Sequence, residues 1–238
     1  MTLFPSIRLD RVKEHTFLPA LVPMDGVVVD LGANKGDFSH TVSRRYGWQC
    51  YAVEANPRMW EAIPAAERVV KINAAVLDKD GPVQFDVSDN PEASSLSSLN
   101  CDTAATRITV EGVRLRTLLD RHSIARVDLL KVDIEGAELA LFDAMTDDEI
   151  ASVGQICVEF HELTGQTPRD GMSALFRRVR RLGFVVYKMS VRHYGDVLFV
   201  NRLKCRVGPA RSLAIRLISR NVCIGKRIWR RWRPRAAP

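Results

Sequence analysis

Short apolar runs rich in β-branched residues recur along the chain, and segments with helical character separate most of them. This alternation is typical of a parallel sheet whose strands are joined by right-handed crossovers. The runs that predict core strands are Val27–Leu31, Cys50–Glu54, Val69–Asn73, Val127–Val132, Ile156–Phe160, Phe184–Met189 and Val197–Asn201. The last two predict an antiparallel hairpin through Arg192–Gly195. The pattern therefore predicts an α/β fold with a doubly wound, mostly parallel, seven-stranded sheet.

Five segments between these strands predict helices. They are Asp37–Tyr46, a helix opened by Asn56-Pro57, Arg116–His122, Ala137–Met145 and Met172–Leu182. Proline is tolerated in the first helical turn, and Gly47 and Gly183 stand where a glycine commonly ends a helix.

Residues 78–113 depart from this alternation and predict an insertion. Asp80-Gly81-Pro82 predicts a turn, and Val83–Val87 and Ile108–Val113 predict short strands. Between them, Ser88–Asn100 is rich in serine and turn formers, which predicts an exposed loop. This loop, which contains Ser94 and Ser95, has two equally good interpretations. It is either a segment that closes over substrate or an ordinary surface loop.

Composition narrows the class of protein. The 238 residues are 46% hydrophobic and 26% charged, as in globular proteins that bury a core of their own. No stretch reaches the roughly 18 apolar residues of a membrane-spanning helix, and the N-terminus lacks a secretory apolar core. The five cysteines, an odd number, have no metal-ligand spacing. We therefore expect a cytoplasmic protein without a zinc site or a disulfide scaffold.

Charge divides the chain into two parts. Residues 1–203 carry 24 basic and 28 acidic side chains, whereas residues 204–238 carry eleven basic and no acidic ones. We therefore predict a domain over 1–203 and a basic tail over 204–238. On a helix over 211–232, one side collects apolar residues such as Leu213, Leu217 and Trp229, while Ile215 breaks the pattern. This amphipathic pattern favours a peripheral anchor on an anionic membrane. A helix packed on the domain and a nucleic-acid tail are the alternatives.

A glycine-containing turn follows the first core strand, in the sequence Asp30-Leu31-Gly32-Ala33-Asn34-Lys35-Gly36. Ligands of doubly wound sheets bind beyond such strand ends. Glu54 ends the next strand, where a carboxylate can accept hydrogen bonds from a ribose diol. Asn34 stands where a dinucleotide site would have its second glycine, so no phosphate cradle is evident. An adenosine cofactor without phosphates, such as S-adenosylmethionine, fits better, and Asp30 could face its ammonium group.

Five segments in order, VVVDLGANKGDFS, YAVEANP, INAAVLDKDG, DLLKVDIEGAEL and ICVEFHEL, resemble the FkbM-type methyltransferases over about residues 25–200. The resemblance implies a class I, Rossmann-like, S-adenosylmethionine-dependent O-methyltransferase that acts on hydroxyls of sugars, glycolipids or other small metabolites. The residues that it places around the cofactor are Asp30, Gly32, Asn34, Gly36, Glu54, Asn73 and Ala74. Glu54-Ala55-Asn56-Pro57 departs from the family's usual Glu-Pro-Asn-Pro, and a turn cap is nearly as good an interpretation of Asn73.

Acidic residues and a histidine follow the later strands, where the methyl group should emerge. Asp133 and Glu135 are expected to be catalytic or to orient the substrate. His161 is a candidate base for the acceptor hydroxyl, with a hydrogen-bonded strand-end histidine as the alternative. Glu138 has two equally good interpretations: a member of this acidic group and a carboxylate that favours the helix N-terminus. No third ligand is evident for a metal on Asp133 and Glu135, so no metal is predicted.

Two other classes of function compete with the enzyme. One is a non-catalytic cofactor-binding or membrane-adaptor module on the same fold. The other is an NAD-dependent oxidoreductase, which Asn34 disfavours. A DNA base N-methyltransferase is disfavoured because Asp133-Ile134-Glu135-Gly136 replaces the proline-containing motif of those enzymes, and no nucleic-acid partner is expected.

Overall fold

The computed structural model describes residues 8–87, 95–96, 106–161, 169–189 and 194–219. Its strands, in chain order, are β1 (Asp10–Val12), β2 (His15–Phe17), β3 (Val27–Leu31), β4 (Gln49–Glu54), β5 (Val69–Asn73), β6 (Ala75–Leu77), β7 (Gly81–Val87), β8 (Ser95–Leu96), β9 (Thr106–Arg114), β10 (Val127–Val132), β11 (Val153–Val158), β12 (Phe184–Lys188) and β13 (Val197–Asn201). A short 3-10 helix spans Pro19–Leu21.

The central sheet has seven strands in the order β12-β13-β11-β10-β3-β4-β5. β11, β10, β3, β4 and β5 pair in parallel, whereas β13 is antiparallel to both β11 and β12. The sheet is therefore mixed rather than purely parallel, and the predicted closing hairpin is confirmed. The order reverses between β3 and β10, and ligands of such sheets bind at this switch point, beyond the carboxyl ends of the strands.

Helices connect the strands of the sheet, and one more follows the last strand. The connecting helices are α1 (Asp37–Tyr46), α2 (Pro57–Ala62), α3 (Leu115–Arg121), α4 (Glu138–Ala144), α5 (Asp147–Ser152) and α6 (Arg169–Arg181), and the last helix, α7, spans 209–219. The Asn56 side chain caps α2 by accepting from the backbone N–H of Arg58, and Thr146 and Glu149 form a capping box on α5. Apolar side chains from the two faces of the sheet form separate clusters, around Leu130 and Phe142 on one face and around Val28 and Phe38 on the other.

The insertion, together with the preceding strand β6, forms a second sheet with the order β6-β9-β7-β8. β7 and β9 confirm the two predicted strands and extend them. Of the predicted loop Ser88–Asn100, only residues 95–96 are described, where β8 pairs with β7; the remainder, including Ser94, lies outside the described residues. The predicted turn Arg192–Gly195 also lies partly outside them.

Several elements differ from the predictions, and β6 and α5 were not predicted. β11 begins at Val153, whereas the prediction began it at Ile156. The prediction began too late because Gln155, which is fully buried, interrupts the apolar run. The side chain of Gln155 bonds to the backbone N–H and carbonyl of Leu18, so it is satisfied inside the protein. β11 ends at Val158 rather than at the predicted Phe160, so His161 lies three residues beyond the end of the strand. The β1–β2 hairpin was not predicted.

The described part of the basic tail packs on the domain. Ile215 of α7 is fully buried against Tyr187, Leu198 and Val200 of β12 and β13. The residue that broke the apolar side of the predicted helix is therefore the one that attaches it. Residues 220–238, which include most of the predicted helix over 211–232, lie outside the described residues. Within the described part of the chain, no helix combines the length and the apolar character needed to cross a membrane.

Candidate active site

Two clefts lie along the carboxyl ends of the central strands and share part of their lining. The first lies between β3, β4 and the insertion, and the second lies between α1, β10 and the β1–β2 hairpin. The residues that line both clefts are Gly32, Asn34, Asp133 and Glu135. A group bound in one cleft can therefore reach a group bound in the other beside Asp133 and Glu135.

Glu54 is the buried acid of the first cleft. Its two carboxylate oxygens accept the backbone N–H groups of Asn34 at 2.7 Å and Asn56 at 2.8 Å. Burial raises the pKa of Glu54 above its usual value, while these two N–H donors oppose the shift. A carboxylate has about four acceptor positions, so two remain for ligand hydroxyls. The carboxylate is thus fixed in position before any ligand binds.

The rest of the first cleft is mostly apolar. Its side chains include those of Val53, Met59, Ala74, Val76, Leu77, Phe85 and Ile134. One fixed carboxylate in an apolar pocket suits a nucleoside, whose ribose needs acceptors and whose base needs an apolar slot. Phe85 comes from β7 of the insertion, and the sequence did not reveal it because its neighbours in the cleft are distant in the chain.

Gly32 is required by a close backbone approach. Its φ is +74°, and a Cβ atom at this position would lie 1.7 Å from the carbonyl oxygen of Asp133. The glycine thus lets the end of β10 pass beside the end of β3. Gly36, with a φ of +79°, precedes α1 and does not line either cleft.

Asp30 does not line the clefts, contrary to the expectation that it faces the cofactor. Asp30 is fully buried. Its carboxylate accepts the Ser39 hydroxyl at 2.7 Å and pairs with the Lys131 ammonium at 3.1 Å, so its charge is paired inside the protein. Lys131 also lies 3.4 Å from Asp133 and donates to the carbonyl oxygens of Leu31 and Gly32. Asp30 and Asp133 therefore share the Lys131 ammonium.

Asn73 and Ala74 have different roles. The Asn73 amide donates to the carbonyl oxygens of Glu54 at 2.8 Å and Ala55 at 3.2 Å, which ties the ends of β4 and β5 together. This is the alternative that the sequence left open. Ala74 lines the first cleft, as does its neighbour Ala75.

The second cleft is strongly polar. Ten of the fourteen described residues that line it are ionisable: Lys13, Glu14, His15, Lys35, Asp37, Lys131, Asp133, Glu135, Glu159 and His161. Such a lining offers many charged hydrogen-bonding groups. It suits a ligand with several hydroxyl groups better than a flat aromatic one.

His161 joins the carboxylates of this cleft. Its Nδ1 lies 3.0 Å from Oε1 of Glu138, and its Nε2 lies 3.4 Å from Glu135 and 3.7 Å from Asp133. Oε1 of Glu138 also accepts the backbone N–H groups of Ile134 and Gly136. Glu138 is therefore buried as an acceptor for both the turn before α4 and the histidine, so it does more than the helix-terminus interpretation allowed.

The charges of this group determine its pKa values. Burial opposes ionisation of Asp133, but Lys131 and His15 hold the pKa of its carboxyl well below the usual range. Burial raises the pKa of Glu135 to about 7, although His161 opposes the shift. Burial lowers the pKa of His161, but Glu138, Glu135 and Asp133 outweigh it and raise the pKa to about 9. Near neutral pH, Asp133 is thus ionised, His161 is cationic and Glu135 titrates.

His15 is a site residue that sequence reasoning missed. It is buried in the β1–β2 hairpin, and its Nε2 lies 3.2 Å from Oδ2 of Asp133. The hairpin is held by Asp196, which accepts from the backbone N–H and the hydroxyl of Thr16 at 3.1 and 2.7 Å. No local signal identifies His15, because its partner is 118 residues away in the chain.

Among the residues that the structure describes, two groups of three side chains have the types and spacing of metal ligands. They are His15, Asp133 and Glu159, and Asp133, Glu135 and His161. His161 thus supplies the third donor that the sequence did not reveal. We assign no metal to either group, because Lys131 already places a cation 3.4 Å from the shared ligand Asp133.

Comparison with known proteins identifies a relationship over most of the chain. The model of the methyltransferase FkbM domain matches residues 30–194. The antimetabolite synthetase AmbE of Pseudomonas aeruginosa is 33% identical over 107 residues, which are 44% of this chain and 5% of that protein. The chain therefore spans only about a twentieth of this relative's length.

Solved structures give more distant similarities. A fibrillarin pre-rRNA processing protein of Methanococcus jannaschii is 14% identical, with 82% of this chain and 70% of that chain covered and a TM-score of 0.43. TrmK of M. capricolum in complex with S-adenosyl-homocysteine is 8% identical, with 77% and 65% covered and a TM-score of 0.42.

Proposed function

Because the chain belongs to the FkbM methyltransferase family, we propose that it transfers a methyl group from S-adenosylmethionine to a hydroxyl of a sugar, glycolipid or other small polyhydroxylated metabolite. The observation that carries this proposal is the junction of the two clefts at Asp133 and Glu135. The first cleft, which is apolar and holds the Glu54 carboxylate, suits the nucleoside of the cofactor. The second cleft, which is lined by ionisable side chains, suits the polyhydroxylated acceptor. S-adenosylmethionine, when bound, supplies an electrophilic methyl group on a cationic sulfur.

Each residue at the junction has a proposed task. Asp133, ionised and held between Lys131 and His15, provides fixed negative charge beside the cationic donor. Glu135 accepts the proton that the acceptor hydroxyl must release when its oxygen is methylated. His161 is cationic near neutral pH, so it orients the acceptor and the carboxylates rather than serving as the base there. Alignment of the two ligands supplies most of the rate enhancement.

We expect the pH profile to identify the proton acceptor. A carboxyl group accepts a proton only when it is ionised, so kcat/KM should rise with pH up to about 7 and then level off. Glu135→Gln should remove this inflection and lower turnover. The profile is measured from pH 5.5 to 9.5 with labelled S-adenosylmethionine. A rise centred near pH 9 would instead assign the proton to His161, and a profile that Glu135→Gln leaves unchanged would contradict the role of Glu135.

Glu54→Gln should weaken cofactor binding while the fold is kept. The variant loses charge-assisted hydrogen bonds and turns an amide NH₂ towards backbone N–H groups, so affinity for S-adenosylmethionine should fall about ten- to a hundredfold. Isothermal titration calorimetry measures this loss, and thermal unfolding checks the fold. The exposed Glu61 on α2 provides the matched control Glu61→Gln, which should bind as the wild type does. Equal affinity of the two variants would exclude Glu54 from the cofactor site.

A panel of acceptors tests the proposed function. Methyl pyranosides and nucleotide-activated sugars are incubated with the protein and labelled S-adenosylmethionine, with catechol and an RNA oligonucleotide as alternatives. We expect label in the sugars only. Label in catechol or in RNA would contradict the acceptor class, and binding of S-adenosylmethionine without transfer to any sugar would favour the non-catalytic module. Binding of NAD in place of S-adenosylmethionine would favour the oxidoreductase.

A further inference from the structure

The surface formed by the turn 202–206 and α7 combines exposed leucines with basic side chains. Leu203, Leu213 and Leu217 are 81%, 59% and 55% exposed, which makes them three of the five large apolar side chains that stand out in the described part of the chain. Leu213 and Leu217 are four residues apart on α7 and are therefore neighbours on one face of the helix. We call these three leucines, together with Arg202, Lys204, Arg206 and Arg216, the α7 surface.

The exposed leucines are not needed to attach the helix. Ile215 and Ser219 are buried, and they lie on the opposite side of α7 from Leu213 and Leu217. Ser212 adds a contact with the Tyr187 hydroxyl. The helix is thus held on β12 and β13 by one side, while its apolar outer side faces solvent.

The charge on this surface is of a single sign. Among the described residues, none of Arg202, Lys204, Arg206 and Arg216 forms a salt bridge, and no acidic residue occurs after Asp196. The following residues, 220–238, add seven Lys and Arg. Exposed leucines and cations without a salt bridge among the described residues are complementary to a layer that offers negative charge outside and hydrocarbon beneath. Nucleic acid would satisfy the cations but would leave the leucines in water.

We propose that the α7 surface docks this protein on an anionic lipid bilayer, with Leu213 and Leu217 entering the headgroup region and the cations pairing with lipid phosphates. Lysine and arginine near such a surface and buried leucine side chains both contribute to binding. This inference is independent of the proposed reaction, because none of its residues lines either cleft.

Co-sedimentation of the full chain with vesicles tests the proposal. One set contains phosphatidylcholine alone, and the other contains phosphatidylcholine with about one third phosphatidylglycerol. We expect the wild type to pellet with the anionic vesicles only. Leu213→Gln/Leu217→Gln, which keeps helix propensity, should lower the partition coefficient about tenfold or more. The control Arg68→Gln/Val70→Thr removes a cation and an exposed apolar side chain near β5, at the opposite edge of the sheet, and should change it less than about twofold.

Three outcomes would overturn the proposal. They are a wild type that stays in the supernatant, equal pelleting with both vesicle types, and undiminished pelleting of the double leucine variant. If a chain ending at residue 219 loses all binding while the double leucine variant keeps it, the membrane contact belongs to residues 220–238. If a duplex oligonucleotide binds the protein and the leucine variant binds it equally well while neither pellets with vesicles, the surface is a nucleic-acid interface.

Discussion

Lys131→Met should destabilise the protein by about 3–5 kcal/mol, because it leaves two carboxylates in the interior without their cation. Lys131 is 3% exposed, and its ammonium pairs with Asp30 at 3.1 Å and with Asp133 at 3.4 Å. Burial by itself would lower the pKa of Lys131, but the two carboxylates raise it above its usual value, so the ammonium stays charged. In a chain of this length the midpoint of thermal unfolding should fall by about 10 °C.

Two variants separate this effect from the loss of a lysine as such. Lys79→Met removes an exposed lysine, and its unfolding free energy should stay within about 0.5 kcal/mol of the wild type. Lys131→Met/Asp30→Asn removes one of the orphaned charges and should recover part of the loss. If Lys131→Met unfolds at the wild-type temperature, the buried ion group does not hold the strand ends together.

Gly32→Ala should be about 4 kcal/mol less stable than the wild type and should lose binding of S-adenosylmethionine. The added Cβ would lie 1.7 Å from the Asp133 carbonyl oxygen, so the ends of β3 and β10 must separate. The left-handed backbone adds about 1–2 kcal/mol, and overpacking adds about 1–3 kcal/mol. Because Gly32 and Asp133 line both clefts, the separation changes the junction itself.

Gly47→Ala is the matched control. Gly47 has a φ of +72°, close to that of Gly32, but no atom lies within 4 Å of its added Cβ. It should lose only the conformational part, about 1–2 kcal/mol, and should bind the cofactor normally. Denaturant unfolding and calorimetry compare the two variants. Equal losses of stability with intact cofactor binding would show that the approach of the two strand ends is not tight.

The central sheet could be predicted because the residues that identify each strand lie within that strand. Runs such as Val27–Leu31 and Val127–Val132 are buried on both faces, and their apolar, β-branched composition records this directly. The prediction began β11 too late because Gln155 is polar and yet buried, and the carbonyl and N–H of Leu18 that satisfy it are 137 residues away. Ile215 was misjudged for a similar reason, since the helical pattern did not show which side of α7 meets the sheet.

Site residues were expected where they follow the strands of a recognisable motif. Glu54, Asp133 and Glu135 were proposed on this basis, and the structure places them on the lining of the clefts. The family resemblance is confirmed by the match over residues 30–194. Asp30 was expected to face the cofactor, because the alternation along β3 does not show that Lys131 and Ser39 enclose its carboxylate. His15 and Phe85 could not be found, because each reaches the site from an element whose packing the sequence does not specify.

The most direct test of the junction is a single-turnover measurement on Asp133→Asn. The enzyme is present in excess over labelled S-adenosylmethionine, and a sugar acceptor from the panel starts the reaction. If the methyl group crosses beside Asp133, the variant should bind the cofactor within a few-fold of the wild type but transfer the methyl group at least about a hundredfold more slowly. Transfer at the wild-type rate, or a loss explained entirely by weaker cofactor binding, would contradict the assignment of the two clefts to donor and acceptor.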